Sequence, residues 1–332
     1  MASLLETLGT LATPENVGAI AKVLGVDASL VQQGLKVVGP TLLGSLAKTS
    51  STPEGLASLT KLMPTDLGSG SDADILGSVL KSVTGGGTGA DMMQNVLGEG
   101  ANAISGTLSK SLGFDVGPLL KLGIPLIMGL LAKTAKTQNL DAAGVANMLQ
   151  AESKAFMADP ANKAVADLVQ TTLKAGDEAA DLRKRYTDAE WKKVRGGPLA
   201  AMYLVATASP SKGADAVAEL AAAAGAVAES LKSASPTSLI GTAFGGGLTK
   251  AEVDLLQREA PPTDRILGMI REGVAAVKAK SPGDAAAYTS MVMNVAQKTA
   301  EAAKEGGFLG IGGTRVTKEE QAALDAIRAA LS

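Results

Sequence analysis

The sequence predicts an all-α protein made of two helical-bundle domains, and three observations point there. Alanine supplies 58 of the 332 residues, and it loses least on entering a helix. Aromatic residues make up only 2% of the chain, and β-branched runs are few, which argues against a sandwich or barrel. Apolar positions also recur at steps of three and four. They do so in Val217, Leu220, Ala224, Val227 and Leu231, in Ile266, Ile270, Gly273 and Val277, and in Tyr288, Val292, Val295, Thr299 and Ala302. That is the spacing of one helix face, and it predicts packing inside a domain rather than an exposed face.

At roughly 150 residues per domain the length suits two domains, and composition divides the chain accordingly. Residues 1–150 hold 22 of the 39 glycines, a single aromatic (Phe114) and no arginine; residues 151–332 hold 42 alanines and all eight arginines. The expected boundary is Ala158-Asp159-Pro160, with Asp159 capping a helix that Pro160 opens. The domains are then 1–158 and 159–332.

The first domain repeats itself. Lys36-Val37-Val38-Gly39-Pro40-Thr41-Leu42-Leu43-Gly44 aligns with Lys121-Leu122-Gly123-Ile124-Pro125-Leu126-Ile127-Met128-Gly129, and Ala47-Lys48-Thr49 with Ala132-Lys133-Thr134. Upstream, Leu24-Gly25-Val26-Asp27 aligns with Leu112-Gly113-Phe114-Asp115. Each copy reads as a helix, a break at the proline, an apolar helix, a turn and another helix. Proline has no amide to donate, so Pro40 and Pro125 are expected to start or kink the second helix. Gly44 and Gly129 fall on the proline face of that helix, so a pseudo-twofold crossing is expected there. The glycine-rich links Gly68-Ser69-Gly70-Ser71 and Gly85-Gly86-Gly87-Thr88-Gly89 read as flexible turns.

This layout resembles the YidB-like family of bacterial domains of unknown function. The likeness rests on Gly39-Pro40 with Leu43-Gly44, on Thr52-Pro53-Glu54-Gly55-Leu56, on Met92 with Val96-Leu97-Gly98, and on Pro125-Leu126-Ile127-Met128-Gly129. It covers about the first 150 residues, and it implies a helical bundle in the bacterial cytoplasm and no reaction. Family members often carry an Asp-rich turn before the middle helix. Residues Thr65–Asp72 are thinner in acid, so no ligand role is carried over.

In the second domain Thr187 with Glu190, Thr249 with Glu252 and Thr317 with Glu320 have capping-box spacing. Ser209-Pro210 and Ser281-Pro282 each read as the turn before a helix. Glu190-Trp191 to Ala208 resembles the TerB-like helical domains. The metal-binding acids that this implies near Ala208-Ser209-Pro210 are missing, so no metal is carried over.

Composition narrows the chemistry. The chain has no histidine and no cysteine, which removes imidazole bases, serine triads, thiol nucleophiles and thiolate metal sites. The glycine run at 85–89 lacks the Gly-Lys pair of a phosphate loop. Asp72-Ala73-Asp74 lacks the later ligands of an EF-hand, so Asp72 reads as a helix cap. The net charge of −2 recruits neither nucleic acid nor anionic membrane. One basic cluster stands out: Arg183, Lys184, Arg185, Lys192, Lys193 and Arg195 around Tyr186 and Trp191. It reads either as a phosphate- and base-contacting patch or as a core anchor with solvated bases. Gly306-Gly307-Phe308-Leu309-Gly310-Ile311-Gly312-Gly313 either tucks Phe308 into a core or offers Phe308 and Ile311 to a partner.

The expected function is a non-enzymatic scaffold or protein-interaction module in the cytoplasm, with no cofactor and no metal. Its expected partner is another protein or a second copy of itself. Residues Arg183, Arg185, Trp191, Lys192, Phe308 and Ile311 are the candidate interaction surface. The alternatives are peripheral membrane contact through Leu119–Leu131 or the 306–313 loop, and a small-ligand-binding protein or carboxylate-based enzyme. The last would use Glu190, Arg195 or Tyr203 of the second domain.

Overall fold

The computed structural model describes residues 3–63, 70–84, 89–208, 214–248, 252, 254, 258–302 and 316–332, and among them every regular element is helical. The chain forms two compact units, Met1–Glu178 and Ala179–Ser332. Asp159 does cap a turn, accepting from the Ala161 amide with Pro160 in first place. The turn is not the boundary, however. The helix after it stays with the first unit, where Val169 joins the core and Val165, Leu168 and Leu173 pack against it.

The first unit runs α1 (Leu4–Leu11), α2 (Pro14–Leu24), α3 (Ala28–Thr49), α4 (Pro53–Leu62), α5 (Asp72–Thr84), α6 (Gly89–Leu97), α7 (Ala101–Leu112), α8 (Gly117–Thr137), α9 (Ala142–Ala158) and α10 (Lys163–Lys184). Local chemistry sets many of these ends. Thr13 and Thr52 accept from the Asn16 and Gly55 amides, with Pro14 and Pro53 opening their helices. Gly25 and Gly113 close α2 and α7 at φ 67° and 78°, the left-handed region that glycine enters freely. Ser71, not Asp72, begins α5: its hydroxyl accepts from the Asp74 amide while Asp74 accepts from the Ser71 amide. Asp72 instead pairs with Lys133 at 2.9 Å.

Two expectations for this unit are corrected. Of the two roles expected for Pro40 and Pro125, starting a helix is overturned, because α3 and α8 run through them. An interior proline costs about 3 kcal/mol of helix stability, and burial of Val37, Val38, Leu42 and Leu43 on α3 offsets it. The close approach of α3 and α8 also lies elsewhere than expected. A Cβ on Gly34 would overlap Leu119, and one on Gly123 would sit 3.1 Å from Leu42 and 3.3 Å from Val38. Gly44 is buried against Leu173 and Val169 of α10 instead. The helix α8 is apolar and long enough to cross a membrane, but 67% of its most apolar window is buried in the unit. Most of Leu119 to Leu131 lies in the core of the unit.

The second unit takes the end of α10 and then α11 (Asp188–Ala208), α12 (Ala214–Ser233), α13 (Leu239–Phe244), α14 (Thr263–Lys280), α15 (Ala285–Ala302) and α16 (Lys318–Leu331). α11 is central, packing on α14, α15 and α16. The stripes on α14 and α15 are buried as expected, with Ile270, Val277, Tyr288, Val292 and Val295 inside. On α12 the expected stripe holds only at Val227 and Leu231. Val217 is 69% and Leu220 39% exposed, and the buried face is Glu219, Ala223, Ala226 and Val227. Alanine suits either face of a helix, so an alanine-rich pattern fixes its rotation weakly. The capping boxes at Thr187/Glu190 and Thr317/Glu320 form. Residues 64–69, 85–88, 209–213, Thr249 and the 306–313 loop with Phe308 and Ile311 lie outside the described residues.

Candidate ligand cavity

A cavity of about 510 Å³ opens in the first unit, within the ~300–1,000 Å³ typical of small-molecule sites. Its floor is buried aliphatic surface from α2, α3, α5 and α8: Ile20, Val38, Leu42, Leu76 and Leu126. Half-buried Leu5, Leu8 and Leu11 of α1 wall one side, and Phe156 of α9, Asn162 of the turn after it and Val165 of α10 line it as well. The third wall is one face of α3, carrying Gln32, Leu35, Lys36, Gly39 and Pro40. Leu5 and Leu8 come close to this face at Gly39, where an added Cβ would lie 3.5 Å from Leu8 and 3.6 Å from Leu5, in ordinary contact. Among the described lining residues Lys36 is the one that is charged, and Gln32 and Asn162 carry amides. Asn162 donates to the Asp159 carboxylate at 3.3 Å, which turns its amide geometry toward that turn.

The short helix α1 is fastened by a long-range contact. Its first amide, Leu4 N–H, donates to both oxygens of Glu152 on α9, at 2.9 and 3.1 Å. Ser3 and Glu6 close a capping box at the same end. An acid beside a helix N-terminus meets unpaired donors and the positive end of the helix dipole. Burial nevertheless holds the Glu152 carboxyl above its usual range, against the lowering effect of the Leu4 bond, and Glu6 adds to the rise.

Among the described residues three helices contain an interior proline, and each proline deprives one carbonyl, four residues earlier, of its helical donor. In α8 the carbonyl is that of Lys121, an exposed residue. In α11 it is that of buried Val194, and the Tyr288 hydroxyl donates to it at 2.8 Å. Gly197 and Gly273 make room for that hydroxyl: a Cβ on Gly197 would overlap it, and one on Gly273 would lie 2.8 Å away. Burial, with Tyr186 nearby, holds the Tyr288 phenol far above its usual range, so it stays a neutral donor. In α3 the carbonyl belongs to Lys36, on the cavity wall.

The basic cluster resolves into packing. Arg183 lies 5.0 Å over the Trp191 ring, donates to the Tyr186 carbonyl at 2.9 Å and pairs with Asp188. Tyr186 meets Trp191 edge-on at 5.4 Å. Lys184 pairs with Asp181, and Lys193 with Glu272. Arg185 and Lys192 point outward. Arg195 grips Glu252 at 2.7 and 2.8 Å, donates to the Ala243 carbonyl and stands 5.7 Å over Phe244. Glu190 is the capping-box acid, and the Thr187 amide holds its carboxyl below the usual range. Tyr203 packs against the core. Arg183 and Glu190 brace the turn between α10 and α11, Lys193 and Arg195 pair α11 with neighbouring residues, and Arg185 and Lys192 are exposed.

Sequence reasoning passed over the cavity, although a signal for it existed. Gln32, Leu35, Lys36, Gly39 and Pro40 share one helix face, and a face that mixes a lysine with glycine, leucine and proline suits neither core nor plain surface. Among the described residues no group of three acids could hold a metal ion. Neither a curated protein nor a solved structure matches the chain. One family model matches part of it: residues 6–134 match the DUF937 family, bacterial proteins of unknown function, with which the YidB-like resemblance agrees.

Proposed function

We propose that the protein is a non-enzymatic binding module whose first unit takes up a small apolar-tailed molecule. The observation that carries this reading is the 510 Å³ cavity, floored by leucine, isoleucine and valine with its polar groups on two walls. An apolar tail displacing water from such a floor gains about 0.8 kcal/mol per methylene buried. Among the described residues the second unit supplies no comparable cavity, and its Arg183 and Arg195 are engaged in packing and ion pairs.

The test is titration of the full chain with 1-anilinonaphthalene-8-sulfonate. One probe per chain, displaced by hexadecanol, is the expected result. The probe should be lost in Gly39→Leu and Leu8→Trp variants that keep the wild-type helical spectrum and melting temperature. Unchanged probe binding in both variants would reject the cavity as the site.

A second reading rests on α12, where Val217 and Leu220 stand exposed beside one another on the helix. Two such residues one turn apart suit a protein partner or a second copy. Sedimentation equilibrium of a Val217→Ser/Leu220→Ser variant tests it: wild-type self-association lost in the variant supports the reading, and a wild-type monomer opposes self-association.

A further inference from the structure

The lining of the cavity also restricts the head group of its ligand. We infer that the site takes a single-chain amphiphile with a negatively charged head, a long-chain carboxylate, with the tail on the α2–α3–α5–α8 floor and the head at Lys36. This rests on the reading of the cavity as a binding site and adds the ligand's charge and orientation.

Three observations converge. Among the described lining residues Lys36 is the one that is charged, and none is an acid. A cationic head would meet no counter-charge there, whereas an anionic head would meet an ammonium on a flexible stem. Of the remaining polar lining groups, Asn162 is engaged with Asp159, and exposed Gln32 carries an amide able to donate to a carboxylate. The apolar floor, in contrast, presents only aliphatic side chains at Ile20, Val38, Leu42, Leu76 and Leu126. The tail therefore has one place to go and the head another. Only single-chain ligands are included, since two acyl chains exceed a cavity of this volume.

The experiment compares ligands of equal chain length on the full chain, by calorimetry below their aggregation concentrations: hexadecanoate, hexadecanol and hexadecyltrimethylammonium. Lys36 is exposed, so its ion pair is partly screened and the expected preference for hexadecanoate over hexadecanol is about three- to fivefold. It should shrink in high salt. Lys36→Met should abolish the preference while hexadecanol still binds, and Lys36→Glu should reverse it toward the cationic ligand. Equal binding of carboxylate and alcohol by the wild type, or a preference that survives Lys36→Met, overturns the assignment of the head while leaving the cavity intact. Failure of all three ligands overturns the cavity reading itself. Binding of anionic vesicles by wild type and Gly39→Leu alike, with no monomeric ligand bound, would point to a lipid surface and also overturn the proposal.

Discussion

The two units handle the same defect in opposite ways. Pro198 in α11 and Pro40 in α3 each interrupt a long buried helix and leave one carbonyl without its helical donor. In the second unit the gap is closed. Tyr288 reaches across from α15, and two glycines thin the helices around its hydroxyl, so the Val194 carbonyl is satisfied inside a tight core. In the first unit no aromatic hydroxyl occupies the equivalent place. Gly39 and Pro40 instead border open volume, and leucines of a short helix form the opposite wall. A proline in a buried helix is thus a choice between a lock and a site. Which it becomes depends on what the neighbouring helix presents.

Breaking the lock should have the largest effect. Gly197→Ala places a methyl group on the Tyr288 hydroxyl and should cost the second unit about 3 kcal/mol, combining overpacking with a lost hydrogen bond. Denaturant unfolding followed by Trp191 fluorescence reads this unit. Tyr288→Phe, which only removes the donor, should cost about 1–3 kcal/mol. In a Pro198→Ala background that cost should fall, because the variant's new amide can serve the Val194 carbonyl. A double-mutant cycle showing additive losses would remove the lock from the account.

In the first unit the effects are smaller. The Glu152 carboxyl is held above its unfolded value near 4.5, chiefly by burial, so protonation favours the folded unit. The stabilisation from this group is present below that value and declines as pH rises through the raised folded value. Glu152→Gln should flatten this slope, seen as a smaller change in melting temperature between pH 4 and 7. Gly39→Ala should gain about 0.5–1 kcal/mol, since the helix interior gains propensity and the new methyl meets Leu5 and Leu8 at ordinary contact distance. A loss of stability there would mean that the cavity is narrower than it stands.

Much of the fold was legible in the sequence because its signals are local. Thr13, Thr52, Thr187 and Thr317 mark helix starts through a hydroxyl and an amide three residues on, and Gly25 and Gly113 mark ends. The stripes on α14 and α15 carry isoleucine, valine and tyrosine, whose size fixes the buried face. The α12 stripe does not, because alanines at 221–224 bury equally well after a rotation. Pro40 and Pro125 misled for another reason: a proline reads as a break on local grounds, and only long-range packing shows that the helix continues. The site was the least legible part. A cavity is a relation between α1, α3, α8 and the turn at Asn162, and no single stretch of chain contains it. The basic cluster at 183–195 drew notice by its charge, yet its partners, Asp188, Glu252 and Glu272, are what determine its role.

The most direct measurement is methyl NMR of the full chain titrated with hexadecanol. If the open defect is a site and the closed one a lock, shifts concentrate on the methyls of Leu5, Leu8, Ile20, Leu35, Leu76 and Leu126, while Val194, Ile270 and Val292 stay in place. Shifts centred on the second unit, or none at saturating ligand, would contradict the account.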